Sequence, residues 1–277
     1  MRTMKTSITV AFLMAASAAG PVSAATCGNS GEGFQQWVQA FKSEAQAQGV
    51  SARTADAALG NVSYDRRLIA FDRSQKVFKQ SFEQFSARMA SNARVNGAKA
   101  RMARYGAVLQ RTEQRTGVPA AVILAIWGLE TDFGQVQGKK PVFNGLATLA
   151  YDCRRTEMFQ RELISAMKIV DRGDLSLSEM RGAAHGELGQ AQFLPSSYLK
   201  FGTDGDGDGR RDLVRSGADT IASIGTYLQG HGWRAGAGWE EGSANFSVFN
   251  EWNRSTVYQR TIALLATKIA AATGSGR

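Results

Sequence analysis

The stretch that decides the fold is Gly117-Val118-Pro119 followed by Ala120-Ala121-Val122-Ile123-Leu124-Ala125-Ile126-Trp127-Gly128-Leu129-Glu130-Thr131. Pro119 suits the first turn of a helix, where its missing N–H costs little. Ala120 to Leu129 is almost wholly apolar, which predicts a helix buried on most sides. Glu130 ends it, with Gly134 as the stop. At 3.6 residues per turn Ile123, Ile126, Trp127 and Glu130 share one face. A carboxyl on an apolar stripe is costly to ionise, and desolvation raises its pKa. An acid that keeps its proton near neutral pH is what protonation of a glycosidic oxygen requires. The plainer alternative is a Glu that reaches solvent or pairs with an Arg; the unbroken apolar run brings the two readings level. Asp132, two residues on, points away from Glu130 if the helix continues, and suits a solvated or capping role.

Working outward, Phe34, Trp37, Val38, Phe41 and Ala45 recur at helical spacing up to Gly49. Tyr64 to Gln84 is charged and aromatic without clean alternation, and Phe85 to Arg115 is Ala- and Arg-rich and helix-prone. No five-residue stretch alternates convincingly as a strand. The expectation is a mainly α chain forming one compact unit over residues 25–277. With 43% hydrophobic and 21% charged residues in 277, disorder and low complexity are excluded.

Arg2 and Lys5, an apolar stretch from Ile8 to Gly20 and the small residues Val22-Ser23-Ala24 have the three parts of a secretory signal peptide, residues 1–24. That stretch is too short to span a bilayer, as is Val122 to Leu129, so no transmembrane segment is expected. Cleavage lowers the net charge from +9 to +7. A basic exported protein suits an anionic lipid or an acidic cell-wall polymer, and export argues against nucleic acid. The two cysteines, Cys27 and Cys153, pair most simply as a disulfide in an oxidising compartment. Lipid attachment at Cys27 is disfavoured by the preceding Ala25-Thr26, and two free thiols remain the other alternative.

A loop rich in aspartate runs Asp204-Gly205-Asp206-Gly207-Asp208-Gly209-Arg210-Arg211-Asp212. Acids at alternate positions before the turn at Gly209 match the start of an EF-hand calcium loop. Arg210, seventh in the loop, is grouped with these candidate ligands, but Arg215 stands where the twelfth-position acid belongs. Asp219 could supply a ligand from further along; equally, Ser216-Gly217-Ala218-Asp219 reads as a capping box opening a helix to Tyr227. Without a cation the three aspartates would repel one another, so a structural Ca²⁺ is expected and no organic cofactor.

Three blocks in order carry a resemblance: Ala125-Ile126-Trp127-Gly128-Leu129-Glu130-Thr131, Gly189-Gln190-Ala191-Gln192-Phe193-Leu194-Pro195-Ser196-Ser197-Tyr198, and Trp252-Asn253-Arg254-Ser255. Together they resemble the membrane-bound lytic murein transglycosylase B family, over about Phe34 to Ala270. The resemblance implies a lysozyme-like, mainly α lytic transglycosylase fold with a small β element. It implies cleavage of the β-1,4 bond between N-acetylmuramic acid and N-acetylglucosamine in peptidoglycan glycan strands, leaving a 1,6-anhydromuramoyl end, with Glu130 as the one acid and base. By the same likeness Gln192 falls at a substrate-contacting glutamine, Asn253 at a cleft asparagine, and Tyr198 and Tyr258 at cleft positions that core packing explains as well. Arg154 and Arg155 match a paired arginine suited to an anionic muramoyl or peptide carboxylate, though adjacent arginines also form solvated faces. A similar metal loop in the family supports calcium. One departure is Ala183, where relatives commonly carry a serine that could hold the acid. Glu187 is a second buried-acid candidate, read here as structural, and the lone His185 and His231 make no metal site. No role is assigned to Trp233, Trp239, Phe246, Phe249 or Trp252.

The expectation is therefore a periplasmic, monomeric peptidoglycan lyase. A hydrolytic muramidase on the same fold and a silent calcium-dependent wall-binding protein are the alternatives.

Overall fold

At the centre stands α6 (Ala120–Thr131), in which every residue from Ala120 to Leu129 is buried. The computed structural model describes residues 26–74 and 80–274, so the expected signal peptide lies outside the described residues. An apolar helix can be covered on all sides only by neighbours from elsewhere in the chain. Three supply the cover: α5 (Asn92–Thr116), α10 (Gly217–Gly230) and α12 (Thr256–Thr273). Behind α12 packs α4 (Phe82–Met89). Pro119 is the N-cap, in extended conformation just before the helix rather than within its first turn.

The C-terminal end of α6 differs from the expected simple stop at Gly134. Asp132, Phe133 and Gly134 all take left-handed backbone, with φ 52, 60 and 85. Two consecutive non-glycine residues in that region cost about 1–3 kcal/mol each. What they achieve is to fold Phe133 back into the crossing of α5 and α6. Its ring sits against Gly97 and Gly128, where an added Cβ would come within 2.7 and 2.9 Å of it. Arg101 lies over the same ring and Trp127 meets it edge-on. Asp132 is thus a helix-terminating residue, its carboxylate 3.6 Å from Arg94.

The second half of the scaffold surrounds α7 (Val142–Tyr151) and α8 (Thr156–Asp171), which pack together. On them lie α1 (Phe34–Ala47), α2 (Ala52–Leu59), α3 (Arg66–Ser74) and α9 (Pro195–Phe201). The expected apolar stripe of α1 is its buried face, and Gly49, at φ 89, follows its end. The small β element is an antiparallel pair, β1 (Lys140–Pro141) with β2 (Arg181–Gly182), extended by bridges from Leu188 to Gly182 and to Phe193. The short α11 (Phe249–Trp252) precedes α12. Among the described residues no helix is long and apolar enough to cross a membrane.

Cys27 and Cys153 are joined as a disulfide, 126 residues apart in sequence, with Gly28 N–H donating to Tyr151 O beside it. A cross-link closing so long a loop restricts the unfolded chain strongly. Cys27→Ser is expected to lower the unfolding free energy by about 2–5 kcal/mol. Denaturant unfolding of the two proteins checks this.

Candidate active site

Glu130 reaches the surface at the end of α6, in a cleft of about 430 Å³ lined also by Ala183, Glu187, Gln192, Phe193, Ser197, Tyr227, Glu251, Trp252 and Asn253. Two fixed donors converge on one of its oxygens: Trp252 Nε1 donates to Oε1 at 2.8 Å, and Tyr258 O–H to the same atom at 2.6 Å. No described residue hydrogen-bonds Oε2. Burial pushes the Glu130 carboxyl above the usual carboxylate range, the two donors pull it back, and the Glu187 charge adds to the rise. A proton on this acid would sit on Oε2, the oxygen to which no described residue donates.

The wall opposite is built on a tight hairpin. Ala183 N–H donates to Glu187 O at 2.9 Å, and Leu188 pairs with Phe193 on the next turn. This loop is locked to α6. Thr131 Oγ1 donates to Gln190 O at 2.6 Å, and Trp127 Nε1 to the Gln190 side chain at 3.1 Å. Gln192 follows at φ 50, a left-handed backbone uncommon for glutamine, and its amide donates to Gly189 O. It lines the cleft with that amide already held. Asn253 also lines the cleft, and its Oδ1 accepts from Ser255 N–H at the entry to α12.

Three expected site residues lie elsewhere. Tyr198 is fully buried; its hydroxyl donates to Arg211 O and accepts from Leu213 N–H, so it belongs to the core. Arg154 and Arg155 are absent from the cleft lining. Both guanidinium groups close on Asp72, a buried carboxylate of α3 that also meets His185 Nε2 at 3.0 Å. A buried charge demands such partners, and the sequence neighbourhood of the arginines carries no sign of it.

The aspartate loop gathers Asp204, Asp206 and Asp219, with one carboxylate oxygen from each lying within 4.8 Å of the others. Asp208 stands outside that group, its Oδ1 accepting from Arg210 N–H. The Arg210 guanidinium turns to Asp174 O, so only its main-chain carbonyl remains for a cation. Ser216 caps α10 by accepting from Asp219 N–H, but the Asp219 carboxylate does not complete a capping box. It accepts instead from Gly205 and Asp212 N–H, which fixes it inside the loop. Burial raises the pKa of Asp219, and the Asp206 charge adds to it. Three hard oxygen donors around one point fit Ca²⁺.

A transglycosylase SLT domain is matched by residues 33–244. The chain belongs to the transglycosylase SLT family. Over 134 residues, 48% of the chain, it is 38% identical to membrane-bound lytic murein transglycosylase B of Escherichia coli K12, and the match spans 37% of that protein's length. SltB3 of Pseudomonas aeruginosa, solved in complex with NAG-anhNAM-pentapeptide, has a TM-score of 0.81 at 30% identity, covering 89% of this chain and 81% of that one. The Escherichia coli lytic transglycosylase Slt35, solved in complex with calcium, shares the fold with a TM-score of 0.75 at 22% identity, over 90% of this chain and 96% of that one. The expected mainly α fold with a small β element is thus the fold of lytic transglycosylases.

The sequence reading missed Trp252, just beyond the matched SLT domain, as a partner of Glu130. It sits in a quoted block, but a tryptophan among glycines and aromatics has no periodicity to show which atom it meets. It also left Glu187 as structural, although Glu187 lines the cleft.

The geometry fixes two outcomes. Removing a donor to the Glu130 carboxylate raises its pKa further, so Tyr258→Phe is expected to move the alkaline limb of kcat/KM on peptidoglycan to higher pH; a pH–rate profile reads this. Glu130 also keeps its proton to higher pH folded than unfolded, so its contribution to stability is lost as pH rises through the folded pKa. Glu130→Gln has no such loss. Its melting temperature is expected to exceed that of wild type by more at pH 8 than at pH 4.

Proposed function

We propose that the protein is an exported, periplasmic peptidoglycan lytic transglycosylase, cleaving the MurNAc-GlcNAc β-1,4 bond with a 1,6-anhydromuramoyl product. The observation that carries this is the arrangement of Glu130, with both fixed donors on Oε1 and Oε2 left for the proton. Glu130 donates that proton from Oε2 to the leaving glycosidic oxygen as the C1–O bond breaks. The carboxylate so formed is stabilised by Trp252 Nε1–H and Tyr258 O–H. It then takes the proton of the muramoyl C6 hydroxyl as that oxygen bonds to C1, which restores the acid and consumes no water. Charge building at C1 is met by the substrate's own N-acetyl group and by a cleft that no Lys or Arg lines. The anhydro-sugar ligand seated in SltB3, a 30% identical neighbour, supports the product assignment.

We further propose that Asp204, Asp206 and Asp219 hold a structural Ca²⁺ with the Arg210 carbonyl. The ion would neutralise the loop and tie it to the start of α10; it takes no part in the chemistry.

The second reading, a hydrolytic muramidase, draws on Glu187 and Glu251, which share the cleft with Glu130 and could activate water. Digestion of purified sacculi followed by mass spectrometry separates the two. The expected fragments end in anhydro sugars one water lighter than hydrolysed ends, and Glu130→Gln lowers their yield by at least about 10²-fold. Hydrolysed ends would establish the second reading, and an unchanged yield would remove Glu130 from the mechanism. For the loop, saturating Ca²⁺ is expected to raise the melting temperature by about 5 °C, and Asp219→Asn to abolish the rise. Calorimetric scans with and without chelator check it.

A further inference from the structure

Glu187 is a cleft residue for which neither the proposed mechanism nor any metal site has a use. Its backbone is pinned by the hairpin: its carbonyl accepts from Ala183 N–H, and Leu188 next to it is paired on both sides. Leu188 is buried, while Glu187 lines the cleft. The side chain makes no hydrogen bond or ion pair with any described residue. Oε2 lies buried in the wall without a partner, which leaves Oε1 as the oxygen available to the cleft. A carboxylate held rigidly and left unsatisfied is costly unless something supplies a donor. The guanidinium groups of Arg154 and Arg155 turn to Asp72, as does His185 Nε2, whose burial lowers its pKa. The remaining source of donors is whatever fills the cleft.

We propose that Glu187 is a substrate-binding carboxylate of the cleft, its Oε1 accepting a hydrogen bond from a hydroxyl or acetamido N–H of the bound glycan. This rests on the peptidoglycan reading above and adds a second contact to it. The hairpin's attachment to α6 through Gln190 keeps Glu187 in register with Glu130, so one sugar can engage both. Its negative charge has a further effect on the acid. The titratable groups around the cleft are Glu130 from α6, Glu251 from α11, Tyr227 from α10, Tyr258 from α12, and His185 on the same hairpin. Among them Glu187 is the group whose charge raises Glu130, after burial itself.

The test compares wild type, Glu187→Gln and Glu187→Ala on soluble uncrosslinked glycan strands. Gln keeps an acceptor without charge and Ala removes both, so KM is expected to rise about threefold for Gln and about tenfold or more for Ala, with kcat changed less. Both substitutions remove the like charge, so the alkaline limb of kcat/KM moves to lower pH, opposite to Tyr258→Phe. In a Glu130→Gln background the same order of weakening is expected in direct calorimetric binding of the strands, which is independent of turnover. The inference is overturned if KM, binding and the alkaline limb all match wild type. It is also overturned if wild type yields hydrolysed ends that vanish in Glu187→Gln, because Glu187 is then the base that activates water. A wild type without any glycan cleavage overturns the functional reading itself, a result distinct from either.

Discussion

Keeping a carboxyl group protonated at the edge of an apolar core requires taking it out of water while leaving a path for substrate. Both demands are met at Glu130 by crossing the end of α6 with chain from far away in sequence. Trp252 and Tyr258, 122 and 128 residues on, cap one oxygen and exclude water from it. The same donors that would favour ionisation are outweighed by burial, so the acid stays poised. The packing of α12 and α5 on α6 serves this end, because a looser end to α6 would let water reach both oxygens. The left-handed turn at Asp132 and Phe133 belongs to the same constraint: it stops the helix within two residues of Glu130 and plugs the α5–α6 crossing with an aromatic ring.

Around that acid the charge is distributed unevenly. The chain carries a net +9, yet the cleft lining includes three glutamates and no Lys or Arg. A carboxylate-rich, cation-free pocket favours a transition state in which positive charge builds on a sugar carbon. Arg154 and Arg155 are both drawn off by Asp72, a single buried carboxylate that takes both guanidinium groups. The departure at Ala183 also finds its answer here. No side-chain hydroxyl is offered from that position, and the orientation of Glu130 is supplied from the opposite side by an indole and a phenol.

What could be read from sequence was what local pattern encodes. The apolar run from Ala120 to Leu129 is long enough to specify a central helix without any partner being known, and the position of Glu130 follows from its register. The aspartate loop likewise carries its own geometry, and three of its candidate carboxylates do converge. What escaped depended on contacts across the chain. Tyr198 stands within a motif, but its hydroxyl is consumed by Arg211 O and Leu213 N–H. Arg154 and Arg155 look free for substrate until Asp72, about eighty residues earlier, closes on them. Trp252 could be recognised as one aromatic among several, but its bond to Glu130 needs α11 folded against α6. Phe133 in a left-handed backbone is unreadable from propensity, since the slot offered by Gly97 and Gly128 exists only once the helices cross.

The central claim is that Glu130 holds a proton near neutral pH, on an oxygen no protein group occupies. Infrared difference spectra between wild type and Glu130→Gln, recorded across a pH titration, observe that proton directly through the carbonyl stretch of the protonated acid. The account expects the band to persist well above the pH at which an ordinary glutamate ionises, and to weaken only as the alkaline limb of activity falls. A Glu130 that ionises in the ordinary carboxylate range, with the band gone by pH 6, would contradict it.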